Sequence, residues 1–293
     1  MIVSRRAPCK VNLLLNILGK RLDGFHELET ILYPIQICDE LEIERVGVGI
    51  RLECDAPGVP SDASNLSWRA ARIFLSRIGA QDGVSIRLVK HVPASAGLGG
   101  GSSDAAHTLL GLNEIFGFPL TAVEIVGLAA GLGSDIPFFL QEMPASGIGR
   151  GEIVTPLAPF LALKGAAFVL CHPGFGVTTA WAYQALSKFP GALNGLTGRA
   201  ANLAWHLQLG ALVDAIPLMY NSLELPVFEK YPLIAMMLEF VKREGAIGAM
   251  MSGSGSTIFA ICGSLVSGER LAEKLRREFG GRMWMTVVEV PNS

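Results

Sequence analysis

The stretch VPASAGLGGGSSDAA at residues 92–106 has the composition of a phosphate-binding loop. Four of the five residues from 97 to 101 are glycine, and the stretch contains no lysine or arginine. Glycine lets the backbone approach oxygen atoms closely and turn successive N–H groups toward them. A helix that begins behind the loop adds the positive end of its dipole, and Ser102 and Ser103 can supply hydroxyls to phosphate or to magnesium. A flexible connection capped by serine is the alternative that the residues leave open.

Two familiar phosphate loops do not fit the spacing of this stretch. A Walker loop requires G-x-x-x-x-G-K-[ST], but the pair Gly19 and Lys20 is followed by Arg21. A Rossmann loop requires G-x-G-x-x-G directly after the first strand of a βαβ unit. The third glycine here falls one place early, and the preceding strands look antiparallel. We therefore expect neither a P-loop kinase nor a dinucleotide-dependent enzyme.

The same stretch resembles the second motif of the GHMP small-molecule kinases, P-x-x-x-G-L-G-S/G-S-S/G-A. Its ending, GGGSSDAA, is similar to one branch of that family, which phosphorylates a cytidine diphosphate conjugate of methylerythritol in the non-mevalonate isoprenoid pathway. Four further segments fit this branch in the same order along the chain: APCKVNLLLNILGKRLDGFHEL at 7–28, GSDIPFFL at 133–140, HPGFGVTTAWAY at 172–183 and MSGSGSTIFA at 251–260. The resemblance implies an ATP- and Mg²⁺-dependent kinase whose acceptor is the 2-hydroxyl of the methylerythritol moiety.

The resemblance also implies the catalytic residues. Asp135 would be the general base for the acceptor hydroxyl, and Lys10 would lie beside it and offset charge on the γ-phosphate. Asn12, on the same strand face as Lys10, would hydrogen-bond the substrate or Asp135. From the residues alone, Asp135 could equally terminate or cap a helix, and Lys10 could be a surface lysine. The implied phosphate-binding residues are Pro93, Ala94, Ser95, Ala96, Gly97, Leu98, Gly99, Gly100, Gly101, Ser102 and Ser103.

The segment DGFHEL carries the implied substrate specificity. An adjacent aromatic ring and imidazole suit a flat pyrimidine, with Phe25 stacking on cytosine and His26 hydrogen-bonding its edge. Tyr183 would form the other wall of the pocket. The family usually has tyrosine where this chain has Phe25, which keeps the stacking face and loses a hydroxyl. A turn or capping role is the alternative for His26.

Three smaller features accompany these motifs. Ser134 stands where the family usually has alanine, and NSLE at 221–224 stands where N-D-L/F-E is more common. The segment SGSGS at 252–256 has two open interpretations: a simple hairpin turn, or, as the resemblance implies, a segment that closes against the active site and supports the phosphate loop.

The order of predicted elements indicates an α+β protein. Strands are predicted at 10–18, 31–38, 39–46, 49–54 and 83–92, with an apolar strand after Asp135. Helices are predicted at 65–79, capped by Asn65 and ended by Gly79, at 103–117, and from 121, where Thr121 and Glu124 form a capping box. In the second half, strand 166–173 precedes helices near 178–188, 199–209, 211–221 and 232–244, strands 246–252 and 256–262, helix 268–279 and strand 283–290.

The order in the second half is that of a ferredoxin-like split βαβ domain. The resemblance implies the two-domain GHMP kinase fold, in which a ribosomal-protein-S5-like N-terminal domain precedes it. Proline and glycine thicken from 144 to 159, and we place the boundary there, with domains at 1–156 and 157–293.

Composition excludes several classes of protein. Half of the residues are hydrophobic and the net charge is about −2, which argues against disorder and against a nucleic-acid-binding protein. The uncharged stretch 245–266 divides into two apolar runs around SGSGS, so we expect a buried hairpin and no membrane span. We read the early basic residues as a solvated edge, expect no leader, and expect a cytoplasmic protein. Single, scattered cysteines fit no zinc spacing, so we predict no zinc site and assign no metal-ligating residues.

Two alternative functions remain beside the implied one. Another GHMP kinase, acting on homoserine, mevalonate or a sugar, would lack a cytosine for DGFHEL to stack. A catalytically silent nucleotide-binding regulator would have no need of Lys10, Asp135 and the glycine loop together. The sequence predicts a small-molecule partner, and it gives no indication of oligomeric state.

Overall fold

The computed structural model describes residues 2–193 and 195–291. The chain divides into two compact units that are discontinuous along the sequence. Unit 1 takes in the residues up to 9 with 36–94 and 99–142, and unit 2 takes in 10–35, 95–98 and the residues from 143 onward. The domain boundary that we place near residue 156 stays a prediction.

The elements are these, in chain order. The strands are β1 (Ile2–Lys20), β2 (His26–Val46), β3 (Ile50–Cys54), β4 (Gly83–Val89), β5 (Ala145–Gly149), β6 (Ile153–Pro156), β7 (Ala167–His172), β8 (Tyr220–Asn221), β9 (Gly248–Met251), β10 (Ile258–Cys262) and β11 (Trp284–Glu289). The α-helices are α1 (Leu66–Ile78), α2 (Gly100–Ile115), α3 (Ala122–Leu132), α4 (Thr179–Ala185), α5 (Arg199–Gln208), α6 (Leu212–Ala215), α7 (Glu224–Lys230), α8 (Pro232–Arg243) and α9 (Leu265–Phe279). Short 3₁₀ helices occupy Pro137–Leu140, Leu161–Leu163, Leu186–Lys188, Pro190–Ala192 and Ile216–Leu218.

In unit 1, helices pack beside a small sheet. The second half of β2 pairs antiparallel with β4, and β4 pairs parallel with β3. The helix predicted at 65–79 is confirmed as α1, because the Asn65 side chain accepts from the Ser67 N–H and Gly79 ends the helix in the left-handed region. The capping box of Thr121 and Glu124 at the start of α3 is also confirmed.

Three predictions in the first half differ from the structure. The strands expected at 31–38 and 39–46 are one continuous strand, β2. Helix α2 begins at Gly100, within the glycine loop, and not at 103. The apolar strand expected after Asp135 is wrong, since Pro137–Leu140 is a 3₁₀ helix with proline in its first turn, where proline's fixed φ is tolerated.

In unit 2, a four-stranded antiparallel sheet has the order β11-β7-β10-β9. Helices α8 and α9 contribute Leu238, Val241 and Leu275 to the core that includes the sheet residues Val169 and Ile258. This order confirms the split βαβ prediction. The uncharged stretch 245–266 contains the buried pair β9 and β10, as expected for a hairpin.

Unit 2 also contains the second half of β1 and the short strands β5, β6 and β8. Strand β5 pairs antiparallel with the first half of β2 and with β6. The helix predicted at 211–221 is wrong at its end, because Tyr220 and Asn221 form β8 and pair parallel with Leu14 and Leu15 of β1. Among the described residues, no helix combines the length and hydrophobicity that a membrane span requires.

Candidate active site

The glycine loop alternates its backbone handedness. Ser95, Gly97 and Gly99 have φ of 54°, 77° and 71°, in the left-handed region, whereas the residues between them do not. Backbone in which left-handed residues alternate with others can turn neighbouring N–H groups to the same side, as anion-binding loops do. A non-glycine residue rarely adopts a positive φ, so Ser95 marks a backbone that the surrounding contacts hold in place.

The loop ends in the N-terminus of α2. Gly99 precedes the helix, and its carbonyl accepts the first helical hydrogen bond, from Ser103 N–H at 2.9 Å. The N–H groups of the first helical turn have no acceptor within the helix, so they are suited to bind phosphate oxygens. Ser102 is partly exposed, whereas Ser103 is buried with its Oγ 3.5 Å from His107 Nδ1. Of the two hydroxyls, that of Ser102 is therefore the accessible one for phosphate or magnesium.

Gly97 lies directly against the Ser252–Ser256 segment. A Cβ on Gly97 would lie 2.2 Å from the Ser252 carbonyl oxygen and 3.0 Å from Gly255 N. The Ser252 hydroxyl donates to the Gly97 carbonyl at 2.9 Å, and Thr257 N–H donates to the Ala96 carbonyl at 3.2 Å. SGSGS thus links β9 to β10 and also contacts the glycine loop, so it is more than a simple hairpin turn, and its support of an active site stays a prediction.

Strand β1 places Lys10 against the glycine loop at Gly97. Its ammonium group donates to the Gly97 carbonyl at 3.3 Å and to Asn12 Oδ1, and its backbone N–H donates to the Leu98 carbonyl at 3.0 Å. Asn12 Nδ2 in turn donates to Thr30 Oγ1 at 2.9 Å. Lys10 is only 3% exposed and Asn12 4%, so neither is a surface residue. The structure therefore brings Lys10, Asn12 and Gly97 together through a buried polar network.

Asp135 belongs to unit 1. It lies in the turn that follows α3 and precedes the 3₁₀ helix Pro137–Leu140, and its side chain is partly buried. Gly133 and Ile136 close this turn, with Ile136 N–H donating to the Gly133 carbonyl at 3.3 Å. The carboxylate is thus carried on a short turn between α3 and the 3₁₀ helix, whose N-cap position is Ile136.

Of the residues predicted to bind cytosine, His26 and Tyr183 contact each other, and Phe25 contacts Arg150. The rings of His26 and Tyr183 lie 5.2 Å apart at an interplanar angle of 44°. Phe25 is 52% exposed, and the Arg150 guanidinium lies 4.6 Å from its ring centroid. Burial lowers the pKa of His26, and the nearby Lys20 lowers it further, so the neutral imidazole that can both donate and accept is favoured.

A buried charged cluster beside the loop was not identified from the sequence. Lys90 Nζ donates to Asp104 Oδ2 at 2.6 Å and to Asp39, whose other oxygen accepts from Val92 N–H at 2.8 Å. A Cβ on Gly100 would lie 3.3 Å from Lys90 Nζ, so the cluster touches the first residue of α2. Asp104 directly follows the two serines of GGGSSDAA, and this position in the motif is the sequence feature that could have pointed to the cluster.

The cluster carries one cation and two carboxyl groups, and the pKa values of Lys90 and Asp104 are both shifted. Burial raises the pKa of Asp104 to about 7, although Lys90 opposes this. Burial alone would lower the pKa of Lys90, but Asp104 and Asp39 outweigh it and raise the pKa above its usual value. Lys90 thus stays charged beneath the start of α2.

The chain is similar to a known protein family and to named proteins. The model of the GHMP kinases N terminal domain matches residues 65–142, and that of the GHMP kinases C terminal domain matches 194–281. The chain is 40% identical to 4-diphosphocytidyl-2-C-methyl-D-erythritol kinase of Synechococcus sp. (strain JA-3-3Ab), over 93% of this chain and 89% of that protein. The chain belongs to the GHMP kinase family. Its relative in Geobacter sp. (strain M21), of the same name, is 40% identical over 87% of this chain and 88% of that protein.

Solved structures agree with the assignment of this chain to the GHMP kinase family. A crystal structure of 4-(cytidine 5'-diphospho)-2C-methyl-D-erythritol kinase is 35% identical, with a TM-score of 0.80 over 98% of this chain and all of that one. Homoserine kinase from Cytophaga hutchinsonii is 18% identical, with a TM-score of 0.74 over 99% of this chain and 96% of that one. The second likeness shows the fold alone. The two-domain α+β fold and the kinase activity expected from the sequence are confirmed.

Proposed function

We propose that this GHMP kinase transfers the γ-phosphoryl group of ATP to the 2-hydroxyl of 4-diphosphocytidyl-2-C-methyl-D-erythritol. The observation that carries the proposal is 40% identity, over nearly the whole chain, to relatives of that name. The proposal places the chain in isoprenoid precursor synthesis and in the cytoplasm.

The proposed chemistry assigns Asp135 and Lys10 complementary roles. Asp135 accepts the proton of the 2-hydroxyl as that oxygen attacks phosphorus, and Lys10 offsets negative charge on the transferring group. Phosphoryl transfer requires mainly alignment and charge stabilisation from the protein. The hydrogen bonds of Lys10 to Asn12 and Gly97 support its role, because they hold the ammonium group in one position.

The proposed ATP site is the glycine loop, residues 93–103. Its alternating backbone and the N-terminus of α2 offer N–H groups to phosphate oxygens, and the Ser102 hydroxyl is accessible to a cation. Magnesium, when bound, neutralises part of the triphosphate charge. We propose that Phe25, His26 and Tyr183 bind the cytosine ring, supported by the contact between His26 and Tyr183.

The test is turnover of the purified protein with ATP, magnesium and a panel of acceptors: the cytidine diphosphate conjugate, homoserine, mevalonate and a sugar. We expect turnover with the conjugate alone. Lys10→Ala and Asp135→Asn should each lower kcat by about 10³-fold or more without loss of the fold. The exposed Lys164→Ala and Asp214→Asn are matched controls and should keep wild-type rates. Wild-type turnover in either catalytic variant would contradict the mechanism.

Binding of cytidine monophosphate tests the substrate class separately. We expect calorimetric binding to the wild type and its loss in Phe25→Ala, because the stacking surface is removed. No binding at millimolar ligand would favour a GHMP kinase with a different acceptor.

A further inference from the structure

The tetrapeptide Asn-Ser-Leu-Glu at 221–224 holds the backbone that supports the glycine loop. Asn221 Nδ2 donates to the carbonyl oxygens of Met251 at 2.9 Å and Gly253 at 2.8 Å. Its Oδ1 accepts from Leu223 N–H at 2.9 Å. Both amide hydrogens and the amide oxygen are therefore used, and Asn221 is only 2% exposed. A side chain without two donors cannot make these contacts.

Glu224 holds the same backbone from its N–H side. Its Oε1 accepts from Met251 N–H at 2.9 Å. Asn221 and Glu224 thus bind the carbonyl and the N–H of one residue, Met251, which is the last residue of β9. Through β8, the tetrapeptide is also paired with β1, the strand that carries Lys10. The start of the Ser252–Ser256 segment is therefore fixed to the strand of the proposed catalytic lysine.

Ser252 and Gly253, which follow Met251, contact the buried polar network of Lys10, Asn12 and Gly97. Ser252 donates its hydroxyl to the Gly97 carbonyl, which also accepts from Lys10 Nζ. A Cβ on Gly253 would lie 3.0 Å from that same carbonyl oxygen and 3.4 Å from both Asn12 Oδ1 and Lys10 Nζ. The backbone at 252–253 therefore forms one side of the space in which Lys10 and Gly97 meet. A displacement of this backbone would move the acceptor that orients the lysine.

We propose that Asn221 and Glu224 are positioning residues for phosphoryl transfer: they fix the Met251–Gly253 backbone and thereby set the Gly97 carbonyl and the Lys10 ammonium group. The inference rests on the proposed function, because it takes Lys10 to act on the transferred group. It predicts an effect on ATP affinity and kcat that exceeds any effect on the KM of the acceptor alcohol. Small errors in the placement of reacting groups cost up to about 10²-fold in rate.

The experiment compares three variants with a matched control. Asn221→Ala removes both donors, Glu224→Ala removes the acceptor, and Glu224→Gln keeps an acceptor oxygen while removing the charge. Glu229→Ala is the control: it removes an exposed carboxylate from α7, the helix that also carries Glu224. For each protein, we would measure kcat, the KM of the acceptor, urea unfolding, and binding of a non-hydrolysable ATP analogue.

We expect Asn221→Ala and Glu224→Ala to lower kcat and analogue affinity by about 10- to 100-fold, with the KM of the acceptor within about twofold of wild type. Glu224→Gln should restore most of the kcat, and Glu229→Ala should keep the wild-type kcat and analogue affinity. Unchanged kcat and analogue affinity in a folded Asn221→Ala protein would overturn the proposal. A Glu224→Gln protein as impaired as Glu224→Ala would overturn the role assigned to the Met251 contact.

A second variant keeps the proposal testable if Asn221→Ala does not fold. Ser252→Ala removes the hydroxyl that donates to the Gly97 carbonyl, and it should lower kcat and analogue affinity in the same way. Combined with Glu224→Ala, its effect should be less than additive, because both act through one backbone segment. Additive losses would overturn the proposal. A wild-type protein that binds the analogue but does not phosphorylate the conjugate would instead contradict the proposed function.

Discussion

The position of Gly97 shows how one residue without a side chain supports a charged site. Its φ of 77° is accessible to glycine at little cost, and its Cα faces the Ser252 carbonyl so closely that no Cβ fits. Its own carbonyl accepts from Lys10 and Ser252. The loop without a cation of its own is thus in direct contact with a buried lysine from β1.

Gly97→Ala should therefore impair ATP binding as well as stability. The new methyl group must displace the Ser252 backbone or the loop, so we expect a loss of about 1–3 kcal/mol in unfolding free energy and at least about tenfold in analogue affinity. Calorimetry and urea unfolding measure the two effects. Gly117→Ala is the control: its φ is 79°, but nothing lies within 4 Å of its Cβ, so it should lose stability alone. Unchanged analogue affinity in Gly97→Ala would contradict the expectation.

At the scale of elements, local signals were predictive and long-range pairing was not. Asn65 and Gly79 marked the ends of α1 because caps act on the adjacent backbone, within the reach of sequence reading. Tyr220 and Asn221 instead form β8 because β1, about 200 residues away, offers a parallel partner. The 3₁₀ helix after Asp135 was missed because a short apolar run does not distinguish a strand from a helical turn.

Helix α9 gives a packing prediction at this scale. A Cβ on Gly268 would lie 2.9 Å from Val287 Cγ1 and 3.3 Å from the Ala167 Cβ, so glycine allows the helix to approach the sheet. Alanine gains about 1 kcal/mol in helix propensity, whereas overpacking costs about 1–3 kcal/mol. We expect Gly268→Ala to be destabilising overall in urea unfolding and to leave kcat unchanged.

Gly127→Ala in α3 is the matched control for Gly268→Ala, because nothing lies within 4 Å of a Cβ added at Gly127. This variant should gain up to about 1 kcal/mol from propensity alone. If Gly268→Ala were stabilised as much as Gly127→Ala, close packing of α9 on the sheet would not explain the glycine.

At the scale of the whole molecule, sequence motifs pointed to the proposed catalytic residues more readily than to the residues that hold them in place. Lys10, Asn12 and Gly97, for which we propose roles in the chemistry, lie in the motifs that resemble those of the family. Lys90 and Asn221 act through contacts with distant segments, and neither has a local pattern that reveals its partner. The roles of Lys10, Asp135, the glycine loop and the residues proposed to bind cytosine all remain predictions, which the turnover and binding experiments test.

The largely buried carboxyl group of Glu224 also affects how the stability of the molecule depends on pH. Burial raises the pKa of Glu224 to about 7, while Met251 N–H and Lys242 lower it and Glu239 raises it. Because the pKa in the folded protein exceeds the usual value of 4.5, the protonated form is favoured by folding. The stabilising contribution is complete below about pH 4.5 and is lost as pH rises to about 7.

Glu224→Gln should therefore flatten part of the pH dependence of stability. We expect the difference in unfolding free energy between wild type and Glu224→Gln to fall by about 2–3 kcal/mol from pH 5 to pH 8, since each unit of pKa shift corresponds to about 1.4 kcal/mol. Urea unfolding at several pH values measures this difference. Glu229→Gln changes an exposed carboxylate on the same helix, and its curve should run parallel to that of wild type. A constant difference between wild type and Glu224→Gln would mean that Glu224 titrates alike in the folded and unfolded chains.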